Sequence, residues 1–421
     1  MDLEALETAL RGAALAAGAP VLETLLRDVG VGRRHAPVRC RCGQVMRSTG
    51  LVPKRIYTLL GPIRFERSRY QCPRCGKTRY PADEELGIEH SARSPGVQRQ
   101  VARLGAKEPF REAARDMREL AGVSVSRKDC ERIAERVGED MERRDKAERD
   151  RLRFVEPPAP GSPKTIDTLY IEFDGTGVPM VASEVAGRKG KQSELAKTRE
   201  AKLGCVFTQT AFNEDGRPLR DPASTSFTGA IEPAAPFGWR IYAEAVRRGL
   251  FEAQRVVVIT DGAKWIQNLV QTHFPGATHI IDLYHAREHL VDLCRLLFDR
   301  DLKRLNRYKD RWWDLLDQGH IETLVEQARA CLPRDSRASK DARTAIAYFE
   351  HNKQRMRYAR FKAQGLFLGS GVIEAGCKTL IGQRLKQSGM EWTVRGANAV
   401  IALRCNDASG RTEDYWESRA A

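Results

Sequence analysis

The chain has 421 residues, 41% hydrophobic and 30% charged, with 71 Lys and Arg against 56 Asp and Glu for a net charge of +15. That length suits two or three domains with a sizeable core, and the composition excludes disordered and fibrous classes. The basic surplus favours an acidic partner, of which nucleic acid is the commonest.

No apolar run is expected to approach bilayer length. The opening segment, acidic and amphipathic over residues 1–34, lacks the basic start and long apolar stretch of a secretory signal. A reducing, cytoplasmic setting follows, in which the ten cysteines are thiols or metal ligands and not disulfides. Six are scattered singly (Cys130, Cys205, Cys294, Cys331, Cys377 and Cys405) and read as small buried hydrophobes.

The other four form two knuckles, Cys40-Arg-Cys42-Gly and Cys72-Pro-Arg-Cys75-Gly, about thirty residues apart. Each offers two thiolates from a tight turn, which a tetrahedral four-cysteine zinc site needs; four unliganded cysteines are the alternative. Between them Ile56-Tyr-Thr-Leu-Leu and Ile63-Arg-Phe-Glu-Arg-Ser-Arg-Tyr70 read as strands joined at Gly61-Pro62. Residues 35–90 are therefore laid out as a zinc ribbon with one structural Zn2+ on Cys40, Cys42, Cys72 and Cys75, although the first knuckle is C-x-C and not C-x-x-C. From Arg33 to Arg79 there are thirteen Lys or Arg and one acid, Glu66, so this small module alone carries +12. Arg67 and Arg69 on one strand face, and Arg64 on the other, are placed to neutralise phosphates.

Residues 91–153 read as helical. Pro109–Leu120 has apolar residues at helical spacing and is stopped by Gly122; Ser126 with Asp129 three residues on opens a second helix. The pair fits a helix-turn-helix, as it fits any helical hairpin, with Arg127 and Lys128 as DNA-contact candidates. Proline density in Val155-Glu-Pro-Pro-Ala-Pro-Gly-Ser-Pro163 marks a linker over 154–164.

Beyond it the texture changes. Thr168-Leu-Tyr-Ile-Glu-Phe-Asp174, Arg255-Val-Val-Val-Ile-Thr-Asp261 and Ala277-Thr-His-Ile-Ile-Asp282 read as strands, each ending in an acid, with helices between. This describes an α/β sheet with carboxylates gathered at one rim. Asp-Gly turns are also ordinary loop chemistry. Clustered carboxylates repel one another unless cations sit between them, and magnesium is the natural occupant.

Taken in order, several stretches resemble DDE transposases of bacterial insertion sequences, of the ISKra type, which are similar to the Mutator-like transposases. They are the two knuckles, Glu172-Phe-Asp174-Gly-Thr-Gly, Arg199-Glu-Ala-Lys202, Thr260-Asp261-Gly-Ala-Lys-Trp265, Asp282-Leu-Tyr-His285 and Gly369-Ser-Gly-Val-Ile-Glu374-Ala-Gly-Cys-Lys378, continuing through Gly389-Met-Glu-Trp392 to Leu403-Arg404. The resemblance implies a ribonuclease-H-like catalytic domain in two parts, 165–285 and 363–421, around a helical insertion at 286–362, in which Trp312 and Trp313 are expected to pack as core. It assigns Asp174, Asp261 and Glu374 as the catalytic triad, holding two Mg2+ or Mn2+.

Glu172, Glu200, Lys202, Asp282 and His285 stand beside that site, and Lys264, Lys378, Arg384 and Lys386 are placed to grip phosphates. Two-metal phosphoryl transfer would free the 3′-hydroxyls of the element ends and join them to target DNA. The implied partners are double-stranded DNA (terminal inverted repeats and target) and further copies of the chain, a homodimer or larger synaptic complex on the nucleoid. The alternatives are a ribonuclease-H-like nuclease or resolvase and a domesticated, inactive DNA-binding protein. A glycosidase with paired carboxylates leaves the basic module unexplained.

Overall fold

Alternating apolar and charged residues build a long antiparallel hairpin from β1 (Arg47–Thr58) and β2 (Gly61–Gln71), to which β3 (Thr78–Arg79) adds a short third strand. The tight turn needs Gly61, whose φ is +118°. The computed structural model describes residues 2–155, 165–190, 195–298, 300–332 and 337–420. The chain packs as two units, Met1–Glu142 with Gly410–Ala421, and Arg143–Ser409. The proline-rich stretch 156–164, where the linker is expected, lies outside the described residues.

In the first unit, Ile56, Ile63 and Phe65 turn into a small core with Ala82 and Ile88, covered by Leu22 and Leu26 of the helix Leu3–Val29. That helix is long and apolar enough, by length and composition, to cross a membrane. This corrects the expectation that no run reaches bilayer length: its alanine-rich middle is apolar without bulky side chains. Two more helices follow, Pro95–Lys107 and Phe110–Ala121, and a third, Arg127–Leu152, begins in this unit and continues past Glu142. Gly122 ends the second in the left-handed region (φ 68°), and the Ser126 hydroxyl caps the third by accepting from the Asp129 amide at 3.0 Å.

The second unit is mixed α/β. Its five-stranded sheet runs β10 (Thr278–Ile281), β9 (Ala253–Thr260), β4 (Ile166–Pro179), β5 (Thr198–Gln209), β8 (Ser226–Ala230). β4, β5 and β8 are antiparallel neighbours, while β9 and β10 run parallel to β4. A small hairpin of β6 (Ala211–Phe212) and β7 (Pro218–Leu219) stands apart.

Period-two alternation along β4 assigns its two faces. Leu169, Ile171 and Phe173 join Phe237 and Ile241 of helix Ala234–Arg247 and Ile266, Leu269 and Val270 of helix Lys264–His273 in one apolar core. Tyr170, Glu172 and Asp174 take the other face. There the Tyr170 ring stacks on Phe207 (centroids 5.0 Å apart) and its hydroxyl accepts from the Phe367 amide.

The interval after β10 is helical: Leu283–Phe298, Leu302–Asp317, Ile321–Ala330, Arg337–Asn352 and Tyr358–Ala363. Trp312 is fully buried there, its Nε1 donating to Gln327 Oε1 at 3.0 Å, whereas Trp313 lies half-buried under the Arg287 guanidinium. The chain returns to the sheet through helix Gly371–Gly376, a π-helical turn Cys377–Gly382, and helix Val394–Ala408, which packs on β8.

Candidate functional site

Register sets two aspartates next to one another. The last parallel pair between β4 and β9 is Glu172 with Ile259, and two residues further along both chains come Asp174 and Asp261. β4 does not end at its acid, as the sequence suggested. Pairing with β5 carries it on to Pro179, so Asp174 lies within β4 yet past the end of its neighbour β9. Asp261 closes a turn in which its Oδ1 accepts from the Ala263 amide at 3.0 Å, and Gly262 adopts φ +86°.

The Asp174 carboxyl is raised above the ordinary aspartate range, first by burial and also by the charge on Asp261. The Gly175 amide, 2.6 Å from Oδ1, and the Cys377 thiol pull it back. A cation beside the Asp174 carboxyl would favour its charged form, offsetting the burial that raises it.

Glu374 stands exposed on the helix Gly371–Gly376, directly before the π turn, a local irregularity common at functional sites. Among the described residues, the one group of three or more His, Cys, Asp or Glu whose ligand atoms all lie within 4.8 Å is the four-cysteine set. Register thus sets Asp174 beside Asp261, while Asp174, Asp261 and Glu374 do not form such a group of three among the described residues.

Two further acids lie beneath this rim. Glu172 is 1% exposed; burial pushes its carboxyl up to about 8, and its Oε2 accepts from the Ile373 amide at 2.9 Å and from the Cys205 thiol at 3.8 Å. Asp282, immediately after β10, caps the next helix through the His285 amide (2.7 Å). Its other oxygen accepts from both the amide and the hydroxyl of Ser370.

His285 is half-buried, its Nε2 3.2 Å from that of His289. His289 packs on Tyr348, whose hydroxyl donates to the Asp261 carbonyl. Cys377, Cys205, His289 and Tyr348 were not singled out from sequence as site residues. Only His289, one helical turn after His285, left a readable signal.

The basic residues divide. Lys202 is buried and spends its ammonium on Glu200 (2.6 Å) and the Glu232 carbonyl (3.2 Å), over the Trp265 ring. Glu200 itself is exposed. Lys378 is exposed, and Lys386 reaches from the surface to the Thr176 hydroxyl, two residues from Asp174. Arg384 does not face a phosphate path: it is fully buried against Trp392. The Lys264 side chain lies outside the described residues.

In the hairpin, Arg64 is exposed and Arg69 half-buried. Arg67 turns inward, contrary to expectation, and shares the buried Asp83 carboxylate with Lys54 while lying over the Tyr80 ring. A carboxylate removed from water needs opposite charge beside it, and these two cations supply it. Arg127 and Lys128 are exposed at a helix start, Lys128 paired with Glu131.

The four cysteines converge from the two knuckles, with Cys40 Sγ 3.5 Å from Cys75 Sγ and Cys42 Sγ 3.6 Å from Cys72 Sγ. Zn–S bonds of about 2.3 Å in a tetrahedron give S···S edges of about 3.8 Å, so the sulfur set can hold a metal such as zinc. A hydrogen bond from the Cys75 amide helps push the Cys72 thiol down to about 6, favouring the thiolate a metal binds.

Residues 1–196 match the family described as "Uncharacterised protein family (UPF0236)". Over 379 residues the chain is 23% identical to the "UPF0236 protein in vanSb 3'region" of Streptococcus gallolyticus, covering 87% of this chain and 75% of that protein. It is 19% identical over 371 residues to a UPF0236 protein of Caldanaerobacter subterraneus subsp. tengcongensis, covering 85% of this chain and 68% of that one. The name of that protein joins eleven locus labels. Among solved structures, the Drosophila P element transposase strand transfer complex overlays with a TM-score of 0.24 and 10% identity, over 77% of this chain and 81% of that one. An overlay that loose establishes no common fold.

Proposed function

We propose that the chain is a DDE transposase of an insertion sequence, of the ISKra type, with a ribonuclease-H-like catalytic domain. The observation that carries the reading is the sheet order β10-β9-β4-β5-β8, with Asp174 on the central strand and Asp261 just after its parallel neighbour. That arrangement agrees with the fold the sequence resemblance implies. The eleven loci joined under one relative's name suit a gene that multiplies within a genome. The +15 charge suits a DNA substrate.

Hard oxygen donors, with the Asp174 carboxyl raised by burial and by the charge on Asp261, fit a divalent cation. Asp174 and Asp261 would hold Mg2+ or Mn2+, with Glu374 as the third carboxylate. When bound, such ions make a nucleophile of water or a DNA 3′-hydroxyl and stabilise the leaving oxygen. The protein's own part is to fix the acids: the Gly175 and Ala263 amides orient the two aspartates, and the Gly369–Gly376 segment presents Glu374. Lys378 and Lys386 draw phosphates to this rim.

The four-cysteine module is a zinc ribbon, and with the helices of 91–153 it recognises the element ends. The helices of 286–362 clamp DNA or a second protomer. Joining two ends calls for a homodimer or larger assembly on double-stranded DNA in the bacterial cytoplasm.

The test is a strand-transfer assay with purified protein, labelled DNA ends from the flanks of the gene, and Mg2+ or Mn2+. Asp261→Asn preserves shape and removes a charge, and is expected to lower joining by at least about 100-fold. Metal-dependent cleavage without joining would move the reading to a nuclease. Binding with neither reaction would leave an inactive DNA-binding protein.

A further inference from the structure

Glu374 is borne by a short helix with little stiffness of its own. Gly369, Gly371 and Gly376 surround it, Ser370 at its N-cap makes no capping bond to the helix, and a π turn follows. Glycine-flanked backbone has many alternatives, so its conformation must come from outside. The Ile373 amide, one of the unpaired donors of the first turn, donates to Glu172 Oε2 across 201 positions of sequence. Ser370 donates twice to Asp282, and the Ser370 carbonyl in turn accepts from the Glu374 amide at 3.1 Å. One turn later comes Cys377, whose thiol helps hold the Asp174 carboxyl down. Gly376 lets the helix lie against the sheet, since a Cβ there would meet Phe227 at 2.8 Å.

We infer that Glu172 is a positioning residue: together with Asp282 it supplies from the sheet the caps that the Glu374 helix lacks, and so sets where Glu374 stands. The catalytic consequence rests on the transposase reading; the structural one does not. Both acids are 1% exposed, so neither reaches DNA, and each sends at least one bond to the segment that carries the third carboxylate.

The experiment uses the full chain. Glu172→Gln keeps an acceptor for the Ile373 amide, whereas Glu172→Leu removes it. Hydrogen exchange measured by mass spectrometry, without DNA or metal, is expected to show peptides over 369–382 exchanging at least ten-fold faster in the Leu variant and at the wild-type rate in the Gln variant. Peptides of β9 should stay unchanged in both. In the joining reaction the Leu variant is expected to need at least ten-fold more Mn2+ for half-maximal rate, with rescue by Gln.

Wild-type exchange over 369–382 in Glu172→Leu would overturn the inference. A wild-type protein that neither cleaves nor joins DNA would instead overturn the transposase reading and leave the exchange result standing. Should the Leu variant lose its wild-type circular dichroism, Ser370→Ala removes only the hydroxyl bond to Asp282. Exchange at least three-fold faster over 369–376 then supports the inference, and unchanged exchange refutes it.

Discussion

The guanidinium of Arg384 lies 5.0 Å from the ring centroid of Trp392, with both side chains buried. Trp392 in turn pairs its backbone with Pro179 and Val181 at the end of β4, and its indole donates to the Leu385 carbonyl. The arginine therefore braces the link between the central strand and the returning chain. Arg384→Met keeps the apolar stem and removes the charge. It should cost about 2 kcal/mol of unfolding free energy by urea titration while leaving the DNA affinity of the folded fraction unchanged. A pure loss of affinity would place Arg384 on the DNA after all.

Arg64 and Arg67, three residues apart on one strand, should behave oppositely. Arg64 is open to solvent, and Arg64→Gln should lower the salt dependence of DNA binding by about one ion without touching stability. Arg67→Gln removes one of the two cations on the buried Asp83 and should destabilise the first unit by about 1–3 kcal/mol. Thermal melts and fluorescence anisotropy over a salt series separate the two effects.

Metal analysis of protein purified without added chelator should return one zinc per chain, held by the four clustered sulfurs. Cys72→Ser should lose it, and with it the protection of β2 and β3 against proteolysis, because Cys72 and the strands share the Val38, Met46 and Tyr70 cluster. Full protection without zinc would mean that the hairpin core suffices.

His279 gives the second unit an acid-sensitive point. Its Nε2 lies 2.8 Å from the Thr260 hydroxyl, and burial, helped by the charge on Arg355, lowers its pKa to about 3. A histidine depressed on folding contributes stability that is present above its unfolded pKa near 6.5 and is lost as pH falls toward 3. The full swing is on the order of 5 kcal/mol. His279→Gln should flatten the decline in urea midpoint between pH 7 and pH 4; an unchanged slope would assign the acid lability to other groups.

Much of the local structure was legible in the residues. The knuckles announce a sulfur cluster by spacing alone, and the run Ile63 to Tyr70 announces its strand by alternation. Ser126 with Asp129 and Gly122 mark helix ends because capping is local chemistry. The strand carrying Asp174 was read too short, since what prolongs it to Pro179 is β5, a partner some thirty residues on. Glu172 was placed beside the catalytic acids, but nothing in its neighbourhood points to Ile373. Cys377, taken for a small buried hydrophobe, is buried as expected but also lowers the Asp174 carboxyl.

Side-chain type and spacing by themselves determined which segments become strand, helix and sulfur knuckle, because those choices turn on neighbours within a few positions. Only the tertiary structure decided which charges meet solvent and which are spent inside: Arg64 outside and Arg67 on Asp83, Lys386 outside and Arg384 on Trp392. A cation's role depends on whether burial has given it a partner, and that partner can come from anywhere along the chain. The same holds for the Glu374 helix, whose caps, Glu172 in β4 and Asp282 just after β10, it meets only after folding.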